Sequence, residues 1–382
     1  MNSQLTTTST SNINERMNVI RFVAIASVVW GHCLLGLENK SFFPVPYQIA
    51  QAILIQSGRV GTIIFFIISG FFLNDKIETF TPFSYLRYRF KSLIMPWLIF
   101  LLLITLVQLF GQISVDQILA GHPGPAMVVF YKLVKGAIFH AAYWFIPVTI
   151  VSSMLLVYLK KYINSMWLAV LLAVISLFYS INLYTAWIPV THTKALFGYV
   201  FYMWIGMQVK SHIETVKYFL LTKVKGVALF FITVVVFLFA CREGINLTRL
   251  GCPDAYASLR ISNAVLSVLI FMALLKSHRL AVVNHLKPQS KSYGLYLVHS
   301  LVVAQIVPLA EQFISTKKLS LALPALALIQ VIVFLLVFGI SYLIVYVLRR
   351  SFLRFVVGMK KVSYTVRKGR SVPLSNQVDL LV

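Results

Sequence analysis

The chain has 382 residues, 59% of them hydrophobic and 12% charged, with a mean hydropathy of +0.85 and a formal net charge of +24. A soluble domain of this length has no use for so much apolar residue, whereas a chain that crosses a membrane many times does. The apolar runs turn the positive balance away from nucleic acid and toward basic cytoplasmic loops, and three cysteines, Cys33, Cys241 and Cys252, are too few for a disulfide scaffold or a zinc cluster.

The opening "MNSQLTTTSTSNINE" has no basic flank leading directly into an apolar core and a small-residue cleavage site. Residues 1–14 therefore read as a polar tail, not a signal peptide. Ten apolar segments of about 17–27 residues follow, long enough to span. They cover roughly 18–37, 49–73, 91–112, 143–159, 166–186, 194–210, 225–241, 258–276, 293–314 and 322–348. The alternating pattern of a membrane β-barrel is absent. The expectation is an all-α integral membrane protein of about ten transmembrane helices, with one membrane domain over 15–350. The longest connection, about 113–142, carries "GHPGP" and an apolar stretch suited to the membrane surface. Residues 351–382 form a basic tail, "LRRSFLRF" running on to "MKKVSYTVRKGR". Facing anionic lipid is one role for it, and a plain stop-transfer flank is the simpler one. The N-terminal flank, the even-numbered loops and the C-terminus hold 24 Lys and Arg, the odd-numbered loops nine. That asymmetry places both termini in the cytoplasm.

Several polar residues sit where hydrocarbon makes them costly. Arg21 and His32 lie eleven residues apart in the first span, about 20° past three turns and about 16 Å along the axis, so they share a helix face. Arg21 sits at the cytoplasmic end, where it is free to snorkel, and His32 lies in the outer half, where a helix-packing hydrogen bond is the plain reading. Arg59 falls near the middle of the second span, at a depth comparable to His32. A central arginine costs at least ~2.5–3.5 kcal/mol, so it faces the bundle interior or a wet cavity with a partner. Gly70, in "FFIISGFF", suits a close backbone approach. Arg87, Arg89 and Lys91 gather at the inner end of the third span. They are either topological charges or a place to meet a cytosolic polyphosphate. The ninth span opens "KSYGLYLVHSL", with Ser292 and His299 two turns apart on one face and Tyr296 between them; His299 falls in the inner half.

This constellation resembles the membrane-bound acyltransferase family 3, bacterial O-acetyltransferases of surface polysaccharides. The resemblance covers about residues 14–348. It rests on Arg-x10-His, matched by Arg21 and His32; on "FF-x-x-SGF", matched by Phe65, Phe66, Ser69, Gly70 and Phe71; and on an Arg-rich segment ending in Pro, matched by Arg87, Arg89 and Pro96. It rests also on "WF", matched by Trp144 and Phe145, and on "SYGxYLxH", matched by Ser292, Tyr293, Gly294, Tyr296 and His299. Ser92 departs from the pattern, at a place where members often carry a basic residue.

The resemblance implies acetyl-CoA or a related acyl-CoA as donor substrate, with no tightly bound cofactor and no metal. It implies a hydroxyl of a polysaccharide or lipid-linked glycan as acceptor, and a multi-pass protein of the bacterial inner membrane. The partners are then acyl-CoA, glycan and membrane lipid, not nucleic acid. The residue types suit this chemistry. A sugar hydroxyl needs a base, and histidine ionises in the right range. An oxyanion needs a cation or N–H groups, and phosphates need fixed cations. The resulting assignment makes His32 and Arg59 catalytic. Arg21, Arg87, Arg89, Trp144, Tyr293, Tyr296 and His299 bind donor or substrate. No nearby carboxylate stands ready to orient His32, because Glu38 lies beyond the span's edge. The rival is a polysaccharide exporter or transporter of the same superfamily, which intramembrane polar residues also suit. His122, His140, His192, His212, His278 and His285 lack metal-ligand spacing and read as loop or surface residues. Cys241 and Cys252, both on the outer side, are a candidate disulfide, and Cys33 reads as inert packing.

Overall fold

A computed structural model describes residues 2–35, 45–112, 123–139, 142–190, 195–277, 281–316, 323–358, 364–367 and 370–373. The backbone is built almost wholly of helices: α1 (Asn2–His32), α2 (Val45–Ser57), α3 (Gly61–Asn74), α4 (Pro82–Arg89), α5 (Met95–Gln112), α6 (Pro123–Phe139), α7 (Phe145–Tyr158), α8 (Met166–Thr185), α9 (Val200–Ser211), α10 (Ile213–Thr222), α11 (Gly226–Arg249), α12 (Ile261–Lys276), α13 (Pro288–Thr316) and α14 (Leu323–Arg350). A short antiparallel hairpin, β1 (Tyr364–Arg367) and β2 (Arg370–Pro373), follows in the basic tail. In lipid a helix satisfies its own backbone, which is why runs of Leu, Ile, Val and Phe without turn residues take this form.

Each of the ten apolar segments contains a helix. Among the described residues six helices are long and apolar enough to cross a membrane, or seven if Met127–Ile138 and Ala142–Tyr158, bent by 65°, make one crossing. The expected ten is larger for physical reasons. α9 has 12 residues and α12 has 16, about 18 and 24 Å against a hydrocarbon core of about 30 Å. The apolar half of α1 carries Glu15, Arg16 and Arg21. The segment expected to be a polar tail is the first part of α1 itself. The basic tail begins as a docked element, since Val357 is buried and lies where a side chain on Gly294 would touch it.

The centre of the bundle is α3. Eleven of its 14 residues are buried, from Gly61 to Leu73. A helix that is apolar all round belongs in a core. It lies against α9 closely enough that a methyl on Gly70 would sit 1.8 Å from the Met203 carbonyl oxygen, and one on Gly206 1.9 Å from that of Ile67. This is the small-residue contact of membrane helices, as expected for Gly70. The outer faces are lipid-like: Leu328, Leu335 and Leu343 of α14 are each 60% exposed.

Candidate active site

α1 ends at His32, and the second crossing breaks next to it. Gly58, Arg59 and Val60 interrupt the helix between α2 and α3. Gly31 and Gly58 touch backbone to backbone, with the Gly58 oxygen 3.0 Å from where a Gly31 methyl would lie. The next residue on each strand of this contact is His32 or Arg59, so the two share one depth, as expected. Trp30 fixes the arrangement by donating its indole N–H to the Leu54 carbonyl at 2.7 Å. Ser27 adds two more bonds, donating to the Ser57 carbonyl at 3.2 Å and accepting from the Gly61 N–H at 3.1 Å.

The imidazole of His32 is exposed and stands 5.4 Å, ring centre to ring centre, from that of His299, which is fully buried. The sequence had put these two in opposite halves of the membrane. α13 starts at Pro288, five residues before the expected span. His299 is therefore eleven residues along it, about 16 Å, near the middle of the hydrocarbon rather than in its inner half. His299 Nδ1 lies 3.2 Å from the Leu295 carbonyl and Nε2 lies 3.5 Å from Ser300 Oγ. A carbonyl only accepts, so in the neutral ring Nδ1 carries the proton and Nε2 is bare.

A train of rings leads inward from this pair. Tyr296 lies 5.8 Å from His299, Phe145 lies 5.6 Å from Tyr296, and Phe66 lies 4.9 Å from Phe145. Phe66 stacks on Tyr199 at 4.7 Å, and Trp144 lies 5.2 Å from Tyr199. Tyr296 donates its hydroxyl to the Ala142 carbonyl, Tyr293 to that of Leu93 at 2.5 Å and Tyr143 to that of Leu297 at 3.0 Å. Tyr293, Tyr296 and Tyr143 are thus walls whose phenol oxygens are engaged by backbone carbonyls, and Trp144 packs on Tyr199 beside them; this makes them shape-setting groups.

Sequence reasoning missed what holds the break at Arg59. Arg260 is fully buried at the foot of α12 and donates to the carbonyls of Ala240 at 2.7 Å and Ala257 at 3.3 Å, and to the side chain of Gln56. Gln56 donates to Asn263 Oδ1 at 2.7 Å, and Asn263 donates to the carbonyls of Ser258 at 2.8 Å and Arg59 at 3.3 Å. Arg260 lies inside the apolar segment 258–276, where sequence reasoning gave it no role. The available signal was "SLRISN", a polar cluster at the margin of an apolar segment.

The other expected residues lie elsewhere. Arg21 is fully buried, 4.3 Å above the ring of Phe72, so it does not snorkel. Arg89 donates to the Tyr85 hydroxyl at 3.2 Å and lies 5.4 Å from the rings of Tyr85 and Tyr88. Arg87 is exposed. Residues two apart on a helix point away from one another, so these two arginines do not form one clamp. They precede a π-helical turn, Phe90–Ile94, in which Ser92 is buried. The Ser92 carbonyl packs closely on Gly358, 2.7 Å from where a methyl on that glycine would be. Cys33, Cys241 and Cys252 are all free thiols, so the candidate disulfide is absent. His212 and His285 are exposed, as expected of surface residues. His122, His140, His192, His278 and Glu38 lie outside the described residues.

The described residues form a helical membrane bundle in which the rings of His32 and His299 meet. The acyltransferase-domain family (Acyl_transf_3) matches residues 14–350, and the chain belongs to that family. No curated protein and no solved structure matches the chain.

Proposed function

We propose that this acyltransferase moves an acyl group, most simply acetyl, from acyl-CoA to a hydroxyl of a surface or lipid-linked polysaccharide, and that it does so in the bacterial inner membrane. The single observation that carries this reading is the meeting of His32 and His299. One ring is open to a substrate and the other is locked behind it. In this reading the bare Nε2 of His299 is the acceptor toward which the N–H of His32 turns, which leaves the second nitrogen of His32 as the base. His299 thereby does what a carboxylate does for a catalytic histidine elsewhere.

The acceptor hydroxyl attacks the thioester carbonyl as His32 takes its proton. The tetrahedral oxyanion forms beside Arg59, whose guanidinium offers fixed positive charge at the same depth. The intermediate collapses by breaking the carbon–sulfur bond, and the proton on His32 passes to the departing thiolate, giving the ester and free CoA. Arg87, exposed at the inner end of the third span, meets the donor's nucleotide phosphates in this reading, with Arg89 as a separate contact and not part of one clamp.

Membranes containing the protein, given acetyl-CoA labelled in the acetyl group, are expected to put label into glycan. His32→Gln keeps a hydrogen-bonding side chain but takes no proton near neutral pH. It is expected to lower incorporation by about 10²–10⁴-fold at unchanged protein level. Near-native incorporation by that variant would make His32 a packing residue. Glycan that is exported but never labelled would favour the transporter reading.

A further inference from the structure

A slot opens on the outer surface of the bundle between α8, α9 and α12. Small residues make it. Ala173, Ser176 and Ser180 follow one another at three and four residues on one face of α8, and Ala264 of α12 lines the same space. The cavity they leave has a volume of about 310 Å³. Both serines commit their hydroxyls within the wall, Ser176 to the Tyr202 hydroxyl at 3.1 Å and Ser180 to the Leu259 carbonyl at 2.6 Å. The slot therefore presents hydrocarbon. Leu177, Ile261 and Val265 at its mouth are exposed, and on these membrane helices the surrounding medium is lipid.

One end of the slot is polar. Tyr184 lies one turn past Ser180 on α8, and Ser262 follows Ile261 at the start of α12. Glu243 of α11 joins the two helices there. It accepts from the Tyr184 hydroxyl at 2.6 Å, from the Ser262 N–H at 3.3 Å and from the Ser262 hydroxyl. Glu243 is half-buried and Tyr184 is exposed, and Glu243 Oε1, with one bond accepted, has capacity for another donor. An apolar slot ending in a few convergent polar groups is the usual form of a ligand site. The slot also adjoins the active site. Asn263 turns to the other side of α12 and donates to the Arg59 carbonyl at 3.3 Å, so α12 has the slot on one face and Arg59 on the other.

Size decides what fits. Ile261 and Leu269 both line the slot, and their separation makes it about 12 Å long. A helix of a second chain is about 10 Å across, so 12 Å of it fills roughly 900 Å³, far more than the slot holds. Packed carbon chains lie about 4.5 Å apart, so 12 Å of one chain fills about 240 Å³, which the slot accommodates. We propose that the slot seats the hydrocarbon tail of the acceptor, a glycolipid whose head group begins with uncharged hydroxyls. The proposal deepens the glycan-acceptor reading above and rests on it. Hydroxyls donate to the Glu243 carboxylate, whereas a phosphate in that place meets like charge. A tail held in the slot puts the first sugar at the rim, one helix width from Arg59, and the glycan passes over the end of α12 toward the histidine pair.

The test uses dodecyl glucoside carrying a diazirine at mid-chain, irradiated in membranes that hold the full chain, with labelled peptides read by mass spectrometry. Label is expected on the slot-lining stretches of α8, α9 and α12. Plain dodecyl glucoside is expected to displace it about tenfold better than dodecyl phosphate does, the lower range for hydrogen bonds to a charged group. Val265→Trp, at a lipid-exposed position, and Ala264→Leu, from the wall, each fill the slot and are expected to cut that label about tenfold while label elsewhere on the bundle stays. Glu243→Gln, which keeps shape and removes charge, is expected to bring the preference for glucoside over phosphate close to one. Absence of label in the slot, or label spread evenly over the lipid-facing helices with α14 included, would overturn the proposal. So would displacement by phosphatidylglycerol as effective as that by glucoside, which makes the occupant a phospholipid, or a preference that Glu243→Gln leaves unchanged. Labelling needs no donor and no transfer. Slot labelling as expected, in membranes that move no acetyl group from acetyl-CoA into glycan, would uphold the lipid seat and reject the transfer reading alone.

Discussion

At the scale of single residues, the proposed role of His299 is to orient His32 as a carboxylate would. Its own Nδ1 is tied to the Leu295 carbonyl, which fixes the ring and leaves Nε2 as the acceptor. A substitution that keeps an acceptor near Nε2 is therefore milder than one that removes it. His299→Gln is expected to retain several-fold more acyl transfer than His299→Ala, and His299→Ala to lose about 10–100-fold, with both proteins inserted at native amounts. Radiolabel transfer normalised to protein amount gives the comparison. Equal loss in the two variants would mean that His299 packs and does not orient. Arg21, by contrast, was read from sequence as an anchor free to snorkel or as a donor-side or structural charge, and burial removes the first of these. A snorkelling arginine reaches water, and this one does not.

At the scale of elements, the break between α2 and α3 does the most to build the site. Gly58 meets Gly31 at the break, and Arg59, the next residue, stands level with His32. The break frees backbone groups inside the membrane, and these must find partners. The Ser27 hydroxyl and the Asn263 amide supply them, with Arg260 and Gln56 holding Asn263 in place. Removing Gln56 strands two buried partners at once, a guanidinium nitrogen of Arg260 and the side-chain oxygen of Asn263. Gln56→Ala is expected to cost about 2–4 kcal/mol and to lower the unfolding temperature in detergent. Gln56→Glu, which still accepts from Arg260 and adds opposite charge, is expected to recover part of that loss in the same measurement. A Gln56→Ala protein as stable as the native one would show that the break does not depend on this network.

At the scale of the whole molecule, the question is which side of the membrane each end of the bundle faces. The excess of Lys and Arg in the even-numbered loops and the C-terminal tail is the driving asymmetry. Charges on both sides are buried in the bundle, Arg16, Arg21 and Lys291 on one and Arg260 on the other, and the excess stands without them. A reporter active only in the periplasm, fused after Val382, is expected to stay silent, and one active only in the cytoplasm to give signal. The reverse result would turn the bundle over and put the Arg21 end outside, away from any cytosolic donor.

Composition and periodicity alone determined that the chain is a helical membrane protein. They also located its ten helical segments, the close approach at Gly70 and the residues whose polarity makes no sense in lipid. These are local properties: apolar run length and the spacing of side chains along one helix follow from the backbone geometry of that helix. They do not say where a helix starts within the bilayer or which neighbour its face meets. α13 begins five residues earlier than its apolar run, a shift of about 7.5 Å, and that alone moved His299 from an inner wall to the side of His32. The same limit hid the bend before α7, the short α9 and α12 that reduce the count of crossings, and the turning apart of Arg87 and Arg89. The buried pairing of Arg260 with Gln56 joins residues 204 apart in sequence, and the lone burial of Arg21 depends on which helices close over it. Tertiary packing decided these features, because in a bundle the partner of a polar group is set by helix crossing and depth, which no single helix encodes.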